Sequence, residues 1–183
     1  MHHLLTLAVL LVLAGQAHAQ TLTFDELVGA RFEVKIEAAR TDRAGGEVRQ
    51  QHVVYRHTVQ PEPNNRVQYS QTFTFTFNRP GRQTVTRSWS GNVVLGVPYA
   101  FRDGQRVWIF ENDALISLRT LDEGGSKLVI RAARTAEGFT CQAALDYARE
   151  IGVGKITSNN SISGKRVDIL SEKQLSSDCR VSR

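Results

Sequence analysis

The sequence predicts an all-β fold. We expect an antiparallel meander of about eight to ten strands that forms a closed or nearly closed up-and-down barrel, with a two-sheet sandwich as the alternative. Apolar and polar residues alternate with period two along most of the chain, as in half-buried strands. Clusters of Gly, Pro, Asn and Asp separate these stretches. Most connections are short, and short turns join neighbouring strands antiparallel.

The clearest predicted strand runs from Val67 to Phe77. Phe73, Phe75 and Phe77 share one face of it, and threonines share the other face. A helix would distribute these phenylalanines around its circumference, whereas a strand stacks them on one side. The same alternation predicts further strands at 32–38, 53–59, 83–90, 92–101, 106–111, 114–121 and 127–134.

The two ends of the domain have weaker patterns. Residues 24–27 favour a short helical turn before the first strand. Residues 138–148 combine strand alternation with an alanine-rich helical stripe, and we predict a strand there. Residues 152–165 are typical of an irregular loop, and 166–170 of a last short strand. A polar C-terminal tail would follow that strand.

The stretch from Leu27 to Arg31 (Leu-Val-Gly-Ala-Arg) resembles the start of lipocalin and avidin barrels. Lipocalins typically carry Gly-x-Trp at this point, and Arg31 stands here where the Trp would be. The resemblance covers five residues. It implies a lipocalin- or avidin-like barrel in outline, with a ligand pocket inside it.

The first 19 residues predict a cleavable secretory signal. Leu4 to Leu13 is almost wholly apolar and much shorter than the ~20 residues that span a ~30 Å bilayer core. Ala17-His18-Ala19 matches the small-x-small pattern that signal peptidase accepts. We therefore divide the chain into a signal peptide at 1–19 and a single β domain at 20–183. We expect a periplasmic or secreted protein without a transmembrane helix.

Cys141 and Cys179 are the two cysteines of the chain. In an exported protein, an even pair of cysteines most simply forms a disulfide. This disulfide would fasten the C-terminal tail to the body of the domain. Without histidines nearby, the same two cysteines do not predict a zinc site.

Composition and motifs exclude several classes of function. The formal net charge is +5, but the basic residues are scattered among acidic ones, which argues against a nucleic-acid surface. Gly-x-Ser-x-Gly and Ser-x-x-Lys motifs do not occur, and Gly152 to Lys155 lacks the spacing of a phosphate-binding loop. The sequence therefore nominates no catalytic residue, metal ligand or cofactor, and an enzyme is the least favoured class.

Aromatic residues at odd positions of successive strands are the candidate ligand-binding set. If these faces converge, they line a cavity for a small apolar ligand, although small barrels also fill their interiors with side chains. The alternatives are a structural, protein-interaction or inhibitor protein of the cell envelope with a solid core, and a small outer-membrane barrel. The candidate residues are Tyr55, His57, Phe73, Phe75, Phe77, Trp89 and Tyr99, with Phe101 on the same side.

Overall fold

A computed structural model shows two antiparallel β-sheets that share one hydrophobic core. The prediction of an all-β antiparallel fold is confirmed. The predicted signal peptide, 1–19, lies outside the residues that the structure describes. The described residues are 21–77, 84–101, 104–119, 126–147, 156–160 and 165–183.

Eleven strands form within the described residues. Their bounds are β1 Arg31–Ala44, β2 Glu47–Glu62, β3 Arg66–Phe77, β4 Thr84–Val94, β5 Tyr99–Phe101, β6 Gly104–Glu111, β7 Ala114–Arg119, β8 Ser126–Thr135, β9 Gly138–Tyr147, β10 Ile156–Asn160 and β11 Lys165–Ser182.

The six-stranded sheet has the order β10-β11-β1-β2-β3-β4. Strand β1 lies near its centre because its alternating sequence buries Phe32, Val34 and Ile36 on one face and exposes charged residues on the other. It pairs with β2 on one side and with the C-terminal strand β11 on the other, where Arg31 lies opposite Ser182. The two ends of the described chain therefore meet within one sheet.

The C-terminal segment is a long strand and not a tail. The predicted strand at 166–170 continues to Ser182 as β11, 18 residues long. Its inward positions next to the centre of β1 hold Glu172 and Gln174, which lie opposite Arg40 and Ala38. Because both faces of this segment are polar, it lacks the apolar alternation that marks the other strands.

The five-stranded sheet has the order β5-β6-β7-β8-β9, so each strand pairs with its neighbour in the chain. Strand β9 confirms the prediction for residues 138–148. Trp108 on β6 points into the core, while Val107 on the opposite face of that strand is also buried. This sheet is thus covered on both faces near β6.

The two sheets do not join into one hydrogen-bonded barrel within the described residues, so the predicted closure is not seen. They approach each other along two sides. On one side, β9 lies against β11, and the predicted disulfide Cys141–Cys179 connects them. The backbone N–H of Leu145 also donates to Gln174 Oε1 across this junction, at 2.8 Å. On the other side, β4 leads through a short turn into β5.

The segment before β1 covers one end of the core. It forms a 3₁₀ turn, Asp25–Leu27, in agreement with the predicted helical turn. Leu27 is completely buried, and the Phe24 ring meets the Phe110 ring edge-on at 6.0 Å between centroids. The N–H of Leu22 donates to Asp113 Oδ1 at 2.6 Å. The N–H of Gly29 donates to the carbonyl of Pro61 on β2 at 3.1 Å, so the segment contacts both sheets.

Two predicted boundaries differ from the structure. A break near Gly91 was expected between strands 83–90 and 92–101, but β4 continues through this residue to Val94. Gly91 pairs with Tyr69 of the neighbouring strand, and the Tyr69 ring lies over the space where a side chain would be. Of the predicted loop at 152–165, residues 156–160 form β10, and 152–155 and 161–164 lie outside the described residues.

No helix among the described residues has the length and apolar character needed to cross a bilayer.

Candidate functional site

Strand register places the predicted aromatic residues on the inward face of the six-stranded sheet. Tyr55 on β2 lies opposite Phe73 on β3, and Gln71 on β3 lies opposite both His57 and Trp89. Because side chains alternate along a strand, odd positions of β2, β3 and β4 point the same way. The alternation that predicts these strands therefore also places the aromatic rings on one face of the sheet.

The rings form a continuous chain of contacts that reaches from one sheet to the other. The Tyr55 and Phe73 centroids are 5.1 Å apart, and Phe73 and Trp89 are 5.0 Å apart. Trp89 then meets Phe101 on β5, in the five-stranded sheet, at 5.6 Å. These separations lie within the range of favourable aromatic pairs. We call Tyr55, Phe73, Trp89 and Phe101 the aromatic chain.

Burial changes across the inner face of the six-stranded sheet. On β1 and β2, the inward residues Phe32, Ile36 and Val53 have no exposed surface. On β3 and β4, Phe73 and Trp89 remain only partly buried. Interior aromatic residues are normally packed on all sides. The aromatic chain therefore keeps some accessible surface at Phe73, Trp89 and Phe101.

His57 is a buried polar group inside this cluster. The imidazole stacks on Tyr55 at 6.4 Å and meets Phe73 edge-on at 6.1 Å. Its Nε2 atom is buried and makes no hydrogen bond to a described residue. Burial, with a smaller contribution from the positive charge of Arg106, lowers the pKa of His57 to about 3. The ring is therefore neutral at physiological pH, with one nitrogen that donates and one that accepts.

Positive charge enters the same region from the five-stranded sheet. The Arg106 guanidinium lies over the Phe101 ring, 4.8 Å from its centroid, in a cation–π contact. Arg106 pairs in register with Tyr99. On the opposite sheet, Arg87 faces inward next to Phe73. Two arginines thus border the aromatic chain.

A polar network lies further along β1, toward its C-terminal end, and adjoins the aromatic chain at Tyr55. Asp42 is buried and accepts a hydrogen bond from Gln51. Burial raises the pKa of the Asp42 carboxyl, against the opposing influence of nearby Arg40. Glu172 on β11 accepts a hydrogen bond from the Tyr55 hydroxyl. The inward-facing carboxylates therefore lie at this end and engage side chains of their own.

A second aromatic group packs the opposite end of the interior. Tyr69 contacts Tyr99 at 5.6 Å and Trp108 at 6.1 Å between centroids. Burial, together with a hydrogen bond to Tyr69, raises the pKa of Tyr99. Gly91 lies directly against the Tyr69 ring, where a Cβ atom would be 2.9 Å from a ring carbon. Tyr69 and Trp108 of this group are almost fully buried, whereas Tyr99 is partly buried.

The structure brings most of the predicted residues together. Tyr55, His57, Phe73, Phe75 and Trp89 form one cluster, with the Phe73 and Phe75 rings 6.5 Å apart. Tyr99 belongs instead to the Tyr69 group, and Phe77 lies at the end of β3 beside a groove. That groove has a volume of about 620 Å³ and is lined by residues that include Arg40, Gln51, Leu175 and Phe77.

Sequence reasoning missed the polar partners of the aromatic cluster. Gln71, only 7% exposed, sits between His57 and Trp89. Because it is polar, the apolar-polar alternation gave no reason to include it among the site residues. Arg106 was missed for a different reason, since it lies in the five-stranded sheet, whereas His57, whose pKa it influences, lies in the six-stranded sheet. Only the spacing of Gln71, two residues before Phe73 on the same face, could have indicated its inward position.

Comparisons with protein families, with characterised proteins and with solved structures give no match to this chain. The fold and the site define an all-β protein of two antiparallel sheets with a mixed aromatic and polar interior.

Proposed function

We propose that this protein is an exported, soluble binding protein that holds a small, largely apolar ligand between its two sheets. The observation that carries the proposal is the aromatic chain, which runs between the sheets and keeps accessible ring surface. Ligand sites are typically concave, mostly apolar and furnished with a few polar groups. Tyr55, Phe73 and Trp89 supply the apolar surface, and His57 supplies a polar group.

The energetics favour a ligand at this place. Apolar surface removed from water contributes roughly 25 cal/mol per Å², and aromatic pairs add about 0.5–1.5 kcal/mol. Phe73 and Trp89 do not obtain this gain in full, because both are only partly buried. A bound apolar molecule would cover them and recover it.

Export is part of the proposal and rests on the sequence and the disulfide. The apolar run Leu4 to Leu13 with Ala17-His18-Ala19 predicts a cleaved signal. Cys141–Cys179 is of a kind that persists in oxidising compartments such as the periplasm or the extracellular space. In this interpretation the oxidised, processed domain is the binding form.

Titration with N-phenyl-1-naphthylamine, a neutral aromatic fluorophore, tests the proposal. We expect its fluorescence to rise on binding and the emission of Trp89 to be quenched. Phe73→Leu should weaken binding at least tenfold. Phe139→Leu is the matched control, because Phe139 is also half-buried but lies on β9, near Arg183.

Two results would contradict binding at this site. One is the absence of any saturable fluorescence change with the folded wild-type protein, which would favour the structural or protein-interaction alternative with a filled interior. The other is equal weakening by Phe73→Leu and Phe139→Leu, which would place the probe elsewhere.

A further inference from the structure

The groove beside Phe77 crosses the outer face of the six-stranded sheet, and strand register explains its path. Arg40 on β1 pairs with Gln51 on β2, which pairs with Phe77 on β3. These three residues form one row across the sheet, with their side chains on the inward face. The rows on either side of it therefore point outward and form the walls of the groove. One wall holds Lys173, Ala39, His52 and Thr76, and the other holds Ser171, Thr41 and Gln50.

Two β-bulges in β11 bound this part of the sheet. The register between β1 and β11 shifts on both sides of residues 38–41, and each shift leaves one extra residue on β11. Such bulges bend a strand, increase its twist and are enriched next to functional sites. One extra residue is Leu175, which is 56% exposed and lines the groove. The groove thus lies where the backbone of the sheet is irregular.

The polar side chains of the groove differ from their neighbours on the same face in their lack of partners. Outside the groove, Lys35 pairs with Glu37, and Thr72 bonds to Ser88 at 3.1 Å. Five side chains in the groove make no hydrogen bond or ion pair to another residue that the structure describes. They are Thr41, Gln50, Thr76, Ser171 and Lys173. Four of them are uncharged hydroxyl or amide groups, which can both donate and accept.

The dimensions of the groove fit an extended chain molecule. Its walls are two residues apart along each strand, which is about 7 Å, and four strands at a spacing of about 4.8 Å give a length of roughly 14 Å. Its volume of about 620 Å³ lies within the range of ~300–1,000 Å³ that is typical of ligand sites. Ala39 and Leu175 add apolar surface between the polar groups.

We infer that this groove binds a short, unbranched oligosaccharide. Sugar hydroxyls both donate and accept hydrogen bonds, which matches the side chains of Thr41, Gln50 and Ser171. The C–H faces of the sugar rings would lie against Ala39 and Leu175. The site is on the opposite face of the sheet from the aromatic chain and is independent of the proposed function.

Two other classes of ligand fit the groove less well. An apolar molecule would cover the hydroxyl and amide groups without replacing their hydrogen bonds to water, which is unfavourable. A peptide that is recognised by a sheet commonly adds as a strand to a free edge. This groove instead runs across the face of four paired strands.

Calorimetric titration with trisaccharides, together with amide NMR of isotope-labelled wild-type protein, tests the inference. The probes are maltotriose, cellotriose, triacetylchitotriose and trigalacturonate. We expect at least one to bind saturably and to shift the amide signals of residues 39–41, 50–52 and 171–173. The corresponding monosaccharide should bind about tenfold more weakly, because it makes only part of the contacts along the groove.

Two matched double variants locate the site. Thr41→Val with Ser171→Ala removes two hydroxyls that are opposite each other on β1 and β11, in the groove. Thr72→Val with Ser88→Ala removes two that are opposite each other on β3 and β4, outside the groove. We expect the first variant to weaken trisaccharide binding by about tenfold, through the loss of two hydrogen bonds, and the second to leave it unchanged.

The inference is overturned if no trisaccharide binds, if the shifted amides lie elsewhere, or if both double variants weaken binding equally. The first two outcomes are read from the wild-type protein and do not depend on the folding of a variant. The variant in the groove should bind N-phenyl-1-naphthylamine as the wild type does, because the interior site is on the other face of the sheet. The groove and the interior site can therefore fail separately.

Discussion

The two sides on which the sheets approach each other differ in construction. On the closed side, β9 and β11 are joined by the disulfide and the Leu145–Gln174 hydrogen bond, and the adjacent inner face of β1 is fully buried. On the open side, β4 and β5 meet through a turn and the contact between Trp89 and Phe101. The closed side is a cross-linked and buried junction, whereas the open side leaves Phe73 and Trp89 only partly buried.

Removing the disulfide should give the largest effect, and it tests the closed side directly. The bridge joins residues 38 positions apart. A loop of this length corresponds to about 4 kcal/mol on the chain-entropy description. We expect the double variant Cys141→Ser with Cys179→Ser to lose about this much free energy of unfolding in urea denaturation. A loss below about 1 kcal/mol would show that the remaining contacts already hold β9 against β11.

Replacing one phenylalanine by alanine on each side compares how tightly the two sides are packed. Phe32→Ala removes a fully buried ring and should cost about 3–5 kcal/mol. Phe73→Ala removes a half-buried ring and should cost about half as much. Chemical denaturation of both variants measures the difference. Equal costs would mean that the interior of the open side is packed as tightly as that of the closed side.

A substitution at Gly91 tests how tightly the second aromatic group packs against β4. Gly91→Ala would place a Cβ atom 2.9 Å from Tyr69 Cε1, so the ring must shift. We expect a loss of about 1–3 kcal/mol from this overpacking. Gly96→Ala is the comparison, because that position has open space around it and its cost comes from a φ of +74°. If the double variant Gly91→Ala with Tyr69→Leu is more stable than Gly91→Ala alone, the Tyr69 ring is the cause of the loss.

His57 gives the smallest effect near neutral pH, a dependence of stability on pH that develops only in acid. The folded pKa of about 3 lies below the ordinary value of 6.5, so between these values only the unfolded state binds the proton. Stability should fall as pH decreases from 6.5, by up to ~1.4 kcal/mol per pH unit, and stay level above 6.5. The variant His57→Gln should lack this component, so the difference in stability between the two proteins isolates it. The raised pKa of Asp42 acts in the opposite direction and is common to both.

The local part of the fold could be predicted from sequence. The Phe73, Phe75 and Phe77 alternation predicts a strand and its inward face, because side-chain period is a local property. Consecutive turns likewise predict the antiparallel meander of β6 to β9. The disulfide also followed from cysteine count and the predicted export.

The non-local part could not be predicted. The pairing of β1 with β11 joins opposite ends of the chain, and no turn indicates it. The inward position of Glu172 becomes reasonable only once the Tyr55 hydroxyl is known to bond to it. Likewise, hairpin order says nothing of whether the first and last strands close a barrel. The proximity of Arg106 to His57 depends on how the two sheets face each other, because these two residues lie in different sheets.

The neighbours of β1 have a consequence for the order of assembly. Phe32 is opposite Val59 on one side and Val181 on the other, so the central strand of the core needs the last residues of the chain. A polypeptide that emerges amino end first holds one edge of β1 unpaired until β11 arrives. Contacts of such long sequence separation form slowly, and an unpaired edge is a template for other chains. β1 therefore presents an unpaired edge for as long as the 18-residue strand β11 is missing.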